Sequence, residues 1–169
     1  QKLLTYLHEL NIFITGICAR DCNSCQKYDK QVTTCIKSST ELNILVLKKL
    51  LHNIRSTGLY RINILGGDIF SYTQWKELCI LINDFPFQTK LYNHFQNILH
   101  NPPKIKDIPG DSTFCVIIPD SFSKEELADS LKLLKRYNLN FELIFYIASS
   151  LHYSDAESFC KEKSIEYYS

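Results

Sequence analysis

The chain has 169 residues, the length of one domain, and its 45% apolar and 22% charged residues supply ample material for a core. A net charge of +1 offers no electrostatic footprint for nucleic acid or an anionic membrane, so neither is expected as a partner. No run reaches the roughly 20 apolar residues that span a bilayer, and the N-terminus lacks the charged-then-apolar-then-small order of a signal peptide.

Asn11 to Thr15 is a short apolar, β-favouring run closed by Gly16, and reads as a first strand. Gly16 to Lys37 is polar and cysteine-rich, the mark of a loop that carries chemistry. Ser38 and Glu41 form a capping-box pattern that opens a helix to about Ser56, with Leu47, Leu50, Leu51 and Ile54 on one face and Gly58 at its end. Tyr60 to Leu65 reads as a second strand, stopping at Gly66-Gly67. Ser71 and Gln74 suggest a second capping box, and Trp75, Leu78, Cys79 and Ile82 form the apolar face of the helix behind it.

Thr89 to Tyr92 is the third strand, and the Pro-, Asp- and Asn-rich stretch from Ile98 to Asp111 is expected to be an irregular connection. Thr113 to Ile118 is the fourth strand, closed by Pro119. Ser123 and Glu126 cap the next helix, which buries Leu127, Leu131 and Leu134. Phe141 to Ile147 is apolar enough to be a fifth strand buried on both sides. Ser154 and Glu157 open a last short helix, and Ile165 to Tyr168 begins a sixth strand. Strands alternating with helices predict βα units on a parallel sheet with right-handed crossovers. A partial TIM-like barrel and a doubly wound open sheet both fit, and in either the working site lies at the C-terminal ends of the strands.

Methionine is absent, initiator included, so the chain is expected to be a piece of a longer protein, with one domain over residues 1–169. The seven cysteines are an odd number, which excludes a complete disulfide framework within one chain. Cys79, Cys115 and Cys160 stand singly in apolar runs and are expected to be buried as small hydrophobes. Four others lie between Cys18 and Cys35, and a reducing cytoplasm is their natural setting.

Cys18-Ala-Arg-Asp-Cys22-Asn-Ser-Cys25 is a C-x3-C-x2-C run. Thiolates so closely spaced on one loop can converge on one side of an iron–sulfur cluster, leaving one iron open to another ligand. Two other readings of the cysteines stand beside this one. A zinc site would take Cys35 as a fourth thiolate, although gaps of 3 and 9 residues suit paired knuckles poorly. Otherwise the cysteines are structural, as Cys35 itself is expected to be. Gly66-Gly67-Asp68 after the second strand permits close backbone approach and sets an acidic acceptor beside it, though such a turn is often purely structural.

C-x3-C-x2-C directly after the first strand of a βα-repeat domain resembles the radical S-adenosylmethionine (SAM) superfamily. Members carry Gly-Gly-Glu after the second strand, and the interval of 41 residues from Cys25 to Gly66 agrees with their spacing. The resemblance implies a [4Fe–4S] cluster on Cys18, Cys22 and Cys25, with SAM chelating the fourth iron and being cleaved reductively to a 5′-deoxyadenosyl radical. It places the methionine end of SAM against Gly66, Gly67 and Asp68. Tyr92-Asn93-His94 stands where many members have Thr-Asn-Gly, and Ile118-Pro119-Asp120 where many have Ser-x-Asp. Asn93 and Asp120 are therefore further expected SAM contacts, and His94 a packing residue. Ser24 replaces the usual aromatic before the third cysteine, and Asp68 the usual glutamate.

The chain looks most like SPASM-type peptide maturases and their divergent pseudo-radical-SAM relatives. That likeness implies a precursor peptide as substrate, an electron donor and a partner maturase. It implies either radical catalysis or, in a degenerate barrel, binding of the peptide or the partner without catalysis. A zinc-stabilised structural domain is the more distant alternative.

Overall fold

The computed structural model describes residues 8–18, 40–119, 122–145 and 150–163. Five strands, β1 (Glu9–Thr15), β2 (Arg61–Gly66), β3 (Gln88–His94), β4 (Thr113–Ile118) and β5 (Asn140–Phe145), form one sheet in the order β1-β2-β3-β4-β5, every pair parallel. Between them run α1 (Ile44–Ile54), α2 (Trp75–Asn83), α3 (Phe95–His100), α4 (Pro102–Ile105) and α5 (Lys124–Arg136), with α6 (Ser150–Lys163) after β5. A doubly wound sheet reverses its strand order partway and is covered on both faces. Here the order is strictly sequential, the arrangement of a partial (βα) barrel.

The two sheet faces differ in chemistry. Ile12, Ile64, Leu91, Phe114 and Phe141 are register partners in one row across all five strands and pack into a core with Leu47 and Leu51 of α1, Trp75 and Leu78 of α2, and Leu127, Leu131 and Leu134 of α5. The alternate residues, including Glu9, Asn11, Phe13, Arg61, Leu65, Lys90, Tyr92, Ile117, Glu142 and Ile144, stay outside that core, and Phe13 is 50% exposed. This second face is the inner wall of the partial barrel.

Several elements depart from the sequence expectation for identifiable reasons. α1 is capped by Asn43, whose Oδ1 accepts from the Leu45 amide at 2.8 Å, because Glu41 is engaged in a β-bridge with Thr15 instead of a capping box; Ser38 lies outside the described residues. The apolar face of α1 is narrower than expected: Leu47 and Leu51 are buried, Ile54 is half-buried and Leu50 is 38% exposed. Gly58, after this helix, has φ 78°, the left-handed conformation glycine accepts without strain.

Ser71 does not cap α2. It ends a 3-10 turn, Ile69–Ser71, capped by Asp68, and Gln74 at the N-cap makes no cap bond of its own. The stretch from Ile98 to Asp111, expected to be irregular, holds the end of α3 and the short α4, which Pro102 opens in the first-turn position proline tolerates. α5 follows expectation, with Ser123 Oγ accepting from the Glu126 amide at 3.2 Å.

β5 is half-exposed rather than buried on both sides, because only its face of Phe141, Leu143 and Phe145 packs on the helix-side core; Tyr146 and Ile147 of the expected strand lie outside the described residues. α6 starts at Ser150, so Ser154 and Glu157 are interior to it rather than its opening. The expected sixth strand, Ile165 to Tyr168, lies outside the described residues. Cys79, Cys115 and Cys160 are buried as expected, at 4%, 0% and 1% exposure. Burial pushes the Cys79 thiol up to about 12 and the Cys115 thiol, which also faces Glu142, up to about 11.

Candidate functional site

The residues singled out by sequence meet at the C-terminal ends of β1 and β2. Phe13 pairs with Leu65 but Thr15 with Gly66, so β1 carries one extra residue at its end, and this bulge lays its exit across the glycines. Thr15 Oγ1 accepts from the Ile17 amide at 3.1 Å and turns the chain. The Gly67 amide then donates to Thr15 O at 3.0 Å, and the Asp68 amide to Ile17 O at 2.8 Å.

This crossing explains the glycine pair. A Cβ at Gly67 would lie 2.6 Å from Ile17 O and 3.0 Å from Cys18 Cβ; one at Gly66 would lie 2.9 Å from Thr15 O. The space that glycine leaves is therefore filled by the chain's own backbone on its way to the cysteine run. Half-buried Cys18 is held against Gly67 as a result. Cys22, Ser24, Cys25, Cys35 and Asp120 lie outside the described residues. Among the described residues, no three His, Cys, Asp or Glu side chains gather as a metal site, and no helix is long and apolar enough to cross a membrane.

Asp68 is 4% exposed and faces inward. Its Oδ1 accepts from the Phe70 amide at 3.0 Å and from Asn93 Nδ2 at 2.9 Å, and its Oδ2 from Ser71 Oγ at 3.1 Å. Asn93, 1% exposed, uses its own Oδ1 to accept from the His94 amide at 2.9 Å and from Asn97 Nδ2 at 2.8 Å. The network ties the end of β2 to the end of β3 and the start of α3. His94 caps α3, its Nδ1 accepting from the Gln96 amide at 3.3 Å, and its ring stacks on Phe95 at 4.9 Å.

The inner sheet wall carries a polar array that the sequence reading missed. Arg61 pairs with Glu9 at 2.6 Å, Asn63 donates to Asn11 Oδ1 at 2.8 Å, and Lys90 pairs with Glu142 at 2.7 Å. Cys115 Sγ lies 3.8 Å from Glu142 Oε2. Burial and the Cys115 contact raise the Tyr92 phenol above its ordinary range. The signal was present as polar residues two apart within strands, Glu9 with Asn11, Arg61 with Asn63 and Lys90 with Tyr92, which is the period of one sheet face. Toward the strand C-termini this wall turns apolar with Phe13, Leu65, Ile117 and Ile144.

No protein-family model and no curated protein matches the sequence. Among solved structures, the chain is similar to the crystal structure of Streptococcus suis SuiB bound to S-adenosylmethionine, with a TM-score of 0.57 and 11% sequence identity. The likeness covers 95% of this chain and 46% of SuiB, so the chain spans about half the length of that protein. What the two share is the fold, in this chain a sheet of parallel strands alternating with helices.

Proposed function

We propose that this chain is a radical-SAM-type iron–sulfur domain acting in the maturation of a ribosomally made peptide, with Cys18, Cys22 and Cys25 as ligands of a [4Fe–4S] cluster. One observation carries the reading. The first cysteine of the C-x3-C-x2-C run and the Gly-Gly-Asp motif, 48 positions apart from Cys18 to Gly66 (66 − 18), are in van der Waals contact at the C-terminal ends of adjacent strands. In a βα domain this is where a ligand site is built. The residues present fit such a group: a cysteine held at the strand ends by the crossing of the β1 exit over Gly67, with apolar side chains leading into the sheet's inner wall. Thiolates are the usual ligands of these clusters.

When bound, the cluster supplies the electron that cleaves SAM reductively, drawn from an external electron donor. The chain's own part is to bind and orient. Gly66 and Gly67, by letting the β1 exit cross β2 closely, would set Cys18 at the strand ends where the methionine end of SAM would lie, and Asp120, as the resemblance implies, would be a further SAM contact. Asp68 and Asn93, buried in their network, keep the ends of β2 and β3 in place. Phe13, Leu65, Ile117 and Ile144 offer the precursor peptide an apolar surface. The similarity to SuiB, solved with SAM bound, supports SAM as the ligand. The setting this chemistry requires is a reducing one, the cytoplasm.

A second reading has its own observation. The Asp68 carboxylate accepts from three internal donors, so little acceptor capacity remains for a SAM ammonium group. A barrel of this kind that has lost SAM chemistry would bind the precursor peptide or a partner maturase without reacting.

Anaerobic reconstitution with iron and sulfide tests both. The enzyme reading expects a brown thiolate-to-iron absorption that Cys18→Ala, Cys22→Ala or Cys25→Ala each abolishes and Cys35→Ala leaves intact. It also expects 5′-deoxyadenosine on chromatography after reduction with SAM present. A loaded cluster with no SAM binding by calorimetry leaves the binding-module reading. One zinc per chain, lost with Cys35→Ala, overturns both.

A further inference from the structure

The outward face of α1 lacks the chemistry of a solvated helix face. The helix buries Leu47 and Leu51 against the sheet and turns Leu45, Val46, Lys48, Lys49, Leu50 and His52 outward. Leu45 is 64% exposed, Val46 55% and Leu50 38%. Of the six large apolar side chains exposed among the described residues, three are therefore on this one helix. Val46 and Leu50, four residues apart, are neighbours on its surface, and Leu45 adjoins Val46. Single exposed apolar residues are ordinary, whereas a contiguous group marks an interaction site. α5 supplies the contrast within the same layer: its exposed residues are Glu125, Glu126, Asp129, Lys132, Lys135 and Arg136, of both signs and with no large apolar side chain.

The charge on this face has one sign. α1 holds no acidic residue, and among the described residues neither Lys48 nor Lys49 forms an ion pair. His52 is held by the fold, its Nδ1 at 2.9 Å from Lys48 O and its ring edge-on to Phe85 at 5.1 Å. A shallow open cleft along the helix is lined by Leu45, Lys48, Lys49, His52 and Asn53. An occupant must bring apolar groups to Leu45 and Val46 and carboxylates to Lys48 and Lys49. A second copy meeting α1 with its own α1 brings lysine against lysine, because a two-fold interface sets the same patch on both sides.

We propose that the outer face of α1 is a docking surface for an acidic amphipathic segment of a partner protein, whose apolar side chains cover Leu45 and Val46 and whose carboxylates pair with Lys48 and Lys49. The surface uses no residue of the cysteine run or of the glycine motif, and it lies on the side of α1 turned away from the sheet, so it stands apart from the cluster reading. Docking of an amphipathic helix is read from apolar anchors spaced three and four apart. Exposed ion pairs each contribute little. The apolar contact therefore supplies most of the affinity, and the lysines select the sign of the partner.

The test uses a fluorescent synthetic helical peptide with leucine on one face and glutamate on the other, and a twin with lysine in place of glutamate. Anisotropy is expected to show binding of the glutamate peptide and none of the lysine twin. Leu45→Ser with Val46→Ser should weaken binding about tenfold or more, the scale of losing apolar anchors. Lys48→Glu with Lys49→Glu should do the same and let the lysine twin bind. All four side chains are exposed, so both variants are expected to keep the wild-type unfolding midpoint, measured alongside. In backbone amide spectra the glutamate peptide should shift α1 and leave α5 in place. Equal binding of the two peptides, or shifts centred outside α1, overturns the proposal. So does self-association in sedimentation that the same variants abolish, which makes the occupant a second copy. Vesicles containing phosphatidylglycerol that bind through these residues while the glutamate peptide does not overturn it in favour of a membrane surface.

Discussion

Gly67→Ala places one methyl group where the chain has no room. The new Cβ lies 2.6 Å from Ile17 O, 2.9 Å from Ile17 C and 3.0 Å from Cys18 Cβ, and the two closest of these are backbone atoms that cannot swing aside like a flexible side chain. Relief requires the β1 exit to move away from β2, which stretches the bonds from the Gly67 amide to Thr15 O and from the Asp68 amide to Ile17 O. Overpacking by one methylene-sized group costs about 1–3 kcal/mol. Two weakened backbone hydrogen bonds, each contributing about 0.5–1.5 kcal/mol, bring the total to roughly 2–6 kcal/mol. For a domain of this size, at about 2–4 °C per kcal/mol, the melting temperature should fall by roughly 4–24 °C. Gly110→Ala is the matched control, since its Cβ meets nothing within 4 Å and its φ is not positive. It should be neutral or stabilising by about 0.4–1 kcal/mol through the unfolded chain. Thermal and urea unfolding of both variants decide the matter. Equal stability of the two would refute the claim that the glycine pair serves the crossing of the chain over itself.

Other expectations follow from burial. Leu51→Ala, at a fully buried position, should cost about 2–5 kcal/mol in urea unfolding, whereas Leu50→Ala one residue earlier, at 38% exposure, should cost less than about 1 kcal/mol. At alkaline pH the fold should weaken. The native Cys79, Cys115 and Tyr72 hold their protons up to about 12, 11 and 12, against ordinary values of 9.0, 9.0 and 10.0, so above pH 9 the native state binds more protons than the unfolded one. Their contribution is complete below pH 9 and declines from there to about pH 12. Each fully differing group lowers stability by at most ~1.4 kcal/mol per pH unit. Unfolding at pH 8 and pH 10.5 with equal free energy would refute this.

The alternation of elements was legible because each strand is apolar on the face that meets helices and each long helix has a buried stripe: Thr113–Ile118 has the bounds expected of it, and Leu127, Leu131 and Leu134 are buried as their spacing required. What escaped was tertiary. Ser38–Glu41 and Ser71–Gln74 have the local pattern of capping boxes, yet Glu41 and Gln74 find amides across from them at Thr73 and Ile44, and no local pattern encodes that exchange. β5 read as doubly buried from its composition, but burial depends on which of its faces packs on the helix-side core, which composition does not carry. The glycine pair was visible as a place of close approach. That the approaching group is Ile17 O depends on the bulge in β1, and a bulge has no sequence mark here.

The Asp68–Asn93 pair bears most directly on the choice between catalysis and binding. If the carboxylate were aimed at a ligand, removing it would cost little stability, because a solvated acceptor is replaced by water. Buried, it holds the Phe70 amide, Ser71 Oγ and Asn93 Nδ2, and Asp68→Ala leaves the last of these in a side chain only 1% exposed. An orphaned buried donor costs about 1–3 kcal/mol. Asn93 cannot escape by rotating its amide, since its Oδ1 already serves the His94 amide and Asn97 Nδ2. Asn93→Ala and Asp68→Ala should therefore each destabilise by about 2–4 kcal/mol, and the double variant by less than the sum, with a coupling of about 1–3 kcal/mol. Asp68→Asn should recover much of the loss: with its oxygen in the place of Oδ1 it keeps the Phe70 amide and Asn93 Nδ2, and its nitrogen donates to Ser71 Oγ, a hydroxyl that can accept. Unfolding free energies of the three variants form the cycle. Strict additivity, or an Asp68→Ala protein as stable as wild type that has lost SAM affinity, would move Asp68 out of the scaffold and into the ligand site.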